Sequence, residues 1–168
     1  MMSPMEAMRG ELLQEAQATR RLLERVPGDR LSWRPHQKSM TLGQLALHVA
    51  RIPGVLSQMA QADEFDAANA DFSPPAPGSA VEIMEAFERS LAAAASYLAA
   101  LDAANAESPW RLTLRGTEVF TVPRLGMIRG LLLNHWYHHR GQLTVYLRLL
   151  DVPLPVVYGR TADENPFG

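Results

Sequence analysis

Three of the five histidines fall in one short stretch, His135-Trp136-Tyr137-His138-His139. On a helix, at about 100° per residue, His139 lies about 40° from His135, and Gln142 about 20° to its other side. Ile128, Leu131 and Tyr146 share that sector. The spacing therefore predicts two imidazoles and an amide in the middle of a buried stripe, with His138 on its shoulder. An unpaired buried polar group costs about 1–3 kcal/mol, so these groups must bond one another or share a ligand. Side chains at i and i+4 project one above the other, which lets both imidazoles reach one cation, and neutral imidazole suits Zn, Ni, Cu and Fe. A third ligand has to come from another element. His48 is the only other histidine on an expected helix, because His36 sits in a connector. The reading adopted is a divalent-metal site made by His48, His135 and His139. The alternative keeps His135 and His139 as core histidines bonded to carbonyls or water, with His48 at a partly exposed edge.

Other chemistries find less support. The HExxH pattern of zinc peptidases would need a glutamate where Trp136 stands, so that reading fails. Arg140 and Tyr137 point away from the His135 sector and are expected at surface or inter-subunit positions. No Gly-rich phosphate loop, GxSxG elbow or paired-carboxylate motif occurs. The eight methionines, at helical spacing, read as core. Cysteine is absent, which excludes disulfides, thiolate metal sites and a cysteine nucleophile. Sixteen Lys and Arg against eighteen Asp and Glu give a formal charge of -2, so nucleic acid is not an expected partner. The N-terminal residues show no basic segment followed by an apolar one, and no apolar run approaches the roughly 20 residues of a membrane span. A cytoplasmic protein with no membrane association is expected.

The elements that must position these residues follow from periodicity. The 168 residues suit one domain, 1–168. Apolar residues from Met5 to Val26 recur at helical spacing, and Pro27-Gly28 ends the run. Thr41-Leu42-Gly43-Gln44 resembles a capping box opening a second helix with the stripe Leu42, Leu45, Val49, Ile52, Leu56 and Met59. Pro53 lies inside it and crowds the carbonyl of Val49, so a kink or break is expected just past His48. Asp71 to Gly78 is too proline-rich for helix or central strand, and Ser79 is a suitable cap for an alanine-rich helix from Val81 to about Ala103. Arg111 to Val122 alternates around a glycine, which fits a short hairpin or an extended loop. A last helix runs from Thr121 or Pro123 to about Leu150. The tail beyond it should lie over the bundle or be mobile. Four long helices with one long crossover predict an all-α, antiparallel four-helix bundle with an irregular C-terminal tail.

Several segments together carry a family resemblance. Leu31-Ser32-Trp33-Arg34-Pro35, Ser39 through His48, His135 through Leu143, and Pro153-Leu154-Pro155-Val156-Val157-Tyr158-Gly159 are similar to the DinB/YfiT-like superfamily. The resemblance implies a four-helix bundle, a homodimer, and a divalent metal held by three histidines, which map onto His48, His135 and His139. Zn is the expected metal, with Ni or Mn as alternatives.

Three imidazoles leave a coordination position open for water or substrate, as in catalytic zinc sites. Such a metal lowers the pKa of bound water to about 7 or holds a thiolate as nucleophile. Relatives of this fold include thiol-dependent transferases and isomerases acting with bacillithiol, mycothiol or glutathione. The resemblance thus implies a thiol S-transferase, with a small-molecule substrate and a low-molecular-weight thiol as partners. A metal-dependent hydrolase ranks second, because no carboxylate base shares the histidine sector on its helix. A non-catalytic metal-binding stress-response protein is the third reading. Gln142 and Gln44, each one turn from a histidine, are candidates to orient ligand imidazoles.

Overall fold

The computed structural model describes residues 3–71 and 75–167. Helix α1 (Pro4–Leu23) opens on a capping box: the Ser3 hydroxyl accepts the Glu6 N–H, and the Glu6 carboxylate accepts the Ser3 N–H. Helix α2 (Leu42–Met59) opens on the expected box. Gln44 N–H donates to the Thr41 hydroxyl at 3.2 Å, and Thr41 N–H donates to Gln44 Oε1 at 2.9 Å. The connector before it pins this start, since Leu42 N–H reaches the Trp33 carbonyl at 2.7 Å and Gly43 N–H the Leu31 carbonyl at 2.9 Å. A Cβ at Gly43 would come within 3.0 Å of Pro77 and 3.1 Å of Leu31, tighter than ordinary packing, so glycine suits this close approach.

Helix α2 passes through Pro53 without breaking. Proline has no N–H to give to the carbonyl four residues back, that of Val49. The indole Nε1–H of Trp136 donates to that carbonyl instead, at 2.9 Å. One turn away, the Ser90 hydroxyl accepts the Gly54 N–H at 2.7 Å and donates to the Arg51 carbonyl at 3.1 Å. A Cβ on Gly54 would sit 2.9 Å from Ser90 Cα, which explains the glycine. Of the kink or break expected past His48, the break does not occur, because neighbouring helices supply hydrogen bonds where the proline disturbs them.

Helix α3 (Ala80–Ala100), capped by Ser79, buries Ile83, Phe87, Ser90, Ala94 and Leu98 against α1 and α2. It ends before Ala103, where Asp102 caps a separate short helix, α4 (Ala103–Glu107). Of the proline-rich crossover, residues 71 and 75–78 carry neither helix nor strand, and residues 72–74 lie outside the described residues.

A small sheet closes one end of the helical bundle. Strand β1 (Glu64–Asp66) pairs parallel with β2 (Pro109–Leu114), which pairs antiparallel with β3 (Thr117–Pro123). The segment left open between hairpin and extended loop is a hairpin. Its turn residues Arg115 and Gly116 both have positive φ, 51° and 76°, as the twist of a two-residue hairpin requires. The sheet is an addition to the all-helical expectation, and it fixes the end of α2. The Trp110 ring is fully buried there, and the buried Arg124 guanidinium donates to the Ala60 and Ala62 carbonyls and pairs with Asp63 at 2.5 Å.

The last long helix has three parts: α5 (Arg124–Met127), a π-helical stretch over Ile128–Asn134, and α6 (His135–Leu149). Bonding from i to i+5 takes up about one extra residue, so the buried stripe slips by about 100° across this stretch. Ile128 lies on the buried side before it, but the buried residues of α6 are Trp136, Arg140, Leu143 and Leu147. This corrects the sector assigned from uninterrupted α periodicity: His135 and His139 stand half-buried on the shoulder of the stripe, and Gln142 is exposed.

Arg140 is likewise not a surface residue. It is 2% exposed, pairs with Glu15 at 2.6 Å, and donates to Thr19 Oγ1 and the Glu15 carbonyl at 3.2 Å. Tyr137 is half-buried beside it, its hydroxyl donating to Glu11 at 2.8 Å. The tail lies over the bundle. Tyr158 bonds Arg140 and Glu15, Arg21 donates to the Val156 carbonyl, and Arg148 pairs with Asp163. Among the described residues no helix is long and apolar enough to cross a membrane.

Candidate metal centre

His48 comes from the middle of α2, and His135 and His139 from successive turns at the start of α6, two helices in direct contact. The ring nitrogens of the three imidazoles lie within 4.8 Å of one another. Ring centroids are 4.5 Å apart for His48 and His139, 5.3 Å for His48 and His135, and 4.5 Å for His135 and His139. His138 is exposed and outside the group, although its ring stands 4.9 Å from that of His139. His36 is exposed in the connector, accepting the Lys38 N–H at 3.1 Å.

The hydrogen bonds around the cluster fix how its lone pairs point. Nδ1 of His139 stands 2.7 Å from Gln142 Oε1, an atom that only accepts, so Nδ1 carries the proton. Nε2 of His135 stands 2.8 Å from Nε2 of His139, a hydrogen-bond distance, so in the metal-free protein a His135 Nε2–H can donate to the His139 lone pair. Without that proton, both Nε2 lone pairs would be turned towards the same point. A shared cation would take the place of the proton between the two nitrogens, since imidazole ligands coordinate in the deprotonated form. Nitrogens sharing a tetrahedral ion at Zn–N lengths of about 2.0–2.1 Å stand about 3.4 Å apart, between the 2.8 Å of the His135–His139 pair and the 4.8 Å that bounds the group. The donor set thus fits a divalent metal.

Electrostatics keeps the imidazoles in the neutral form that coordinates. Burial first, then the charges of His139, His135 and Arg51, pushes His48 down to about 4. His135 and His139 are lowered as well, burial being the main cause in each.

The cluster forms one wall of a cavity of about 680 Å³. Met40, Leu47, Ile52, Val55, Leu56 and Pro75 give it an apolar lining, and Arg51 and Asp71 add one charge of each sign. Sequence reasoning missed both charged residues. Arg51 lies three residues after His48 on the same helix face, a signal that was available. Asp71 belongs to the crossover, where no periodicity announces a direction. Of the two glutamines expected to support the site, Gln142 contacts His139, whereas Gln44 spends Oε1 on the cap of α2.

Comparison with known proteins agrees with this architecture. The sequence pattern of the DinB family matches residues 1–165. A Bacillus subtilis (strain 168) relative, named "Uncharacterized protein YrdA", is 28% identical over 153 residues, which cover 89% of this chain and 85% of the relative. A DinB-like protein from Bacillus cereus ATCC 10987 has a similar crystal structure, with TM-score 0.71 and 24% identity over 94% of this chain and 100% of that one. A DinB-like protein of Bacillus subtilis, YjoA, gives TM-score 0.70 at 17% identity, covering 92% of this chain and 99% of that one. A DinB-family structure from Exiguobacterium sibiricum gives 0.67 at 19% identity, covering 93% and 98%. These likenesses establish the fold, and the match over nearly the whole chain establishes the lineage: the chain belongs to the DinB family.

Proposed function

We propose that His48, His135 and His139 hold a divalent metal, Zn before Ni or Mn, and that the protein is a metal-dependent enzyme of the thiol S-transferase type. The carrying observation is that one ring nitrogen from each of three imidazoles lies within 4.8 Å of the others, on the wall of a cavity large enough for a small molecule. A metal bound there supplies Lewis acidity, which stabilises a deprotonated sulfur or oxygen nucleophile at neutral pH.

The chain's own residues do the rest. Gln142 holds the His139 ring by its Nδ1–H. The apolar lining formed by Met40, Ile52, Val55 and Leu56 excludes water from the reacting groups. Arg51 brings a fixed positive charge to the cavity wall, suited to an anionic thiol or acceptor. With no cysteine in the chain, the sulfur nucleophile arrives as a low-molecular-weight cosubstrate. The protein on this reading works in the cytoplasm as a homodimer.

A second reading, metal-dependent hydrolysis, gains from one observation. Asp71 lines the same cavity and brings to it the carboxylate that the histidine sector of α6 lacks, the group type that a general base for water requires.

The test begins with elemental analysis of untagged protein purified without added metal. Near-stoichiometric metal in the wild type and none in a His48→Ala, His139→Ala double variant is expected. Metal-dependent consumption of an electrophile only when thiol is present favours transfer; consumption without thiol, abolished by Asp71→Asn, favours hydrolysis. A chelated protein that loses its helical fold would assign the metal a structural role.

A further inference from the structure

We propose that the hydrogen bond from the Trp136 indole to the Val49 carbonyl is a register lock between the two ligand-bearing helices, and that Trp136 is a positioning residue for the histidine site. The inference rests on the metal-site reading and adds to it the device that sets the spacing of the ligands.

Both partners of the bond are neighbours of ligands in the chain. Val49 follows His48 directly on α2, and Trp136 follows His135 directly on α6. The 2.9 Å bond therefore joins the helices one residue from a ligand on each side. Sliding one helix past the other by a single residue moves a ligand by about 1.5 Å. A metal site tolerates ligand distances within only about 0.2 Å. Apolar contacts between the helices are non-directional, so they oppose such sliding weakly. A buried hydrogen bond is directional, and both partners here are fully buried.

The same bond also satisfies a buried carbonyl that has no donor within its own helix. In regular α geometry the Val49 carbonyl would receive the N–H of residue 53, and Pro53 has none. The indole thus supplies the hydrogen bond that the proline cannot, and because a carbonyl oxygen has two lone pairs it still binds there when a backbone N–H is restored at position 53. Trp136 occupies the place where the zinc-peptidase pattern carries its general base, and its ring points into the core, away from the cavity.

Four proteins test the proposal: wild type, Trp136→Phe, Pro53→Ala and the double variant. In Trp136→Phe the Val49 carbonyl is left buried without a donor, so both the melting temperature of the metal-free protein and the affinity for Zn²⁺ fall. In the double variant the backbone N–H restored at position 53 satisfies the carbonyl within α2, so the melting temperature returns towards that of Pro53→Ala. The bond between helices is still missing, and Zn²⁺ affinity, read by competition with a chromophoric chelator, stays about tenfold or more below that of Pro53→Ala. Recovery of affinity together with stability would reduce Trp136 to a packing role and overturn the proposal. If Trp136→Phe alone fails to fold, the comparison of Pro53→Ala with the double variant still decides, because the carbonyl is satisfied in both.

A metal-independent readout separates this inference from the reading beneath it. In the metal-free protein the His48 and His139 rings, 4.5 Å apart, should give a proton cross-relaxation signal that weakens in the double variant relative to Pro53→Ala. Wild-type protein that binds no metal but shows this change would sink the metal reading and keep the lock; metal binding with no change in ring spacing or affinity would do the reverse.

Discussion

Gln142 Oε1 lies 2.7 Å from Nδ1 of His139, and this one contact decides which nitrogen of the ring faces the other two histidines. Because the amide oxygen can only accept, the proton stays on Nδ1 and the Nε2 lone pair is turned inward. Gln142 is exposed and its removal exposes no core. Gln142→Ala should therefore leave the melting temperature of the metal-free protein nearly unchanged while weakening Zn²⁺ binding about 10- to 100-fold. Competition titration against a chelator measures it, and unchanged affinity would remove Gln142 from the site.

Arg140 and Glu15 form a buried ion pair on the opposite side of α6 from the cavity. Removing one partner strands the other charge, which costs about 3–5 kcal/mol when the pair is well buried. Arg140→Met should lower stability in urea by that order, and Arg140→Met with Glu15→Leu should recover much of the loss. Metal stoichiometry should hold in both. A single variant as stable as wild type would show that the pair is well solvated.

The depressed histidines give the metal-free protein a definite acid response. His48 titrates at about 4 when folded and near its ordinary value of 6.5 when unfolded. The unfolded chain thus takes up the proton first. The stability tied to the neutral ring is complete above pH about 6.5 and is lost as the pH falls towards 4. His135 and His139 act in the same direction. Thermal melts of chelated protein should show a lower midpoint at about pH 5 than at about pH 7, and His48→Ala should narrow the difference. A midpoint equal at both pH values in wild type would contradict the neutral, buried cluster.

Arg51 lines the cavity without belonging to the three-nitrogen group. Arg51→Gln should bind metal as the wild type does. If its charge recognises substrate, KM for an acidic thiol such as mercaptosuccinate should rise about tenfold, the value of one lost charge-assisted hydrogen bond, with a neutral thiol unaffected. Equal effects on both thiols would assign Arg51 a structural role.

Local patterns in the chain carried much of this protein. The box at Thr41 and Gln44, the helical stripes and the i, i+4 spacing of His135 and His139 are set by residues within a few positions of one another, and sequence exposes such relations directly. The bundle follows because those stripes can be buried only against each other. What the tertiary structure decided lies between elements. Pro53 was expected to kink or break α2, and the helix continues through it because Trp136 and Ser90 arrive from other helices with hydrogen bonds. The π-helical stretch rotated the buried stripe of the last helix, carrying Arg140 into the core and leaving His135 and His139 on its shoulder. Periodicity assumes one turn length throughout, so it could not foresee that slip. Asp71 reached the cavity from a crossover with no period at all. Short-range geometry is written in residue spacing, whereas the partner that completes a hydrogen bond or faces a cavity depends on how the elements pack. That packing set the histidines half-buried at the edge of a cavity, and not in the core where their spacing alone had placed them.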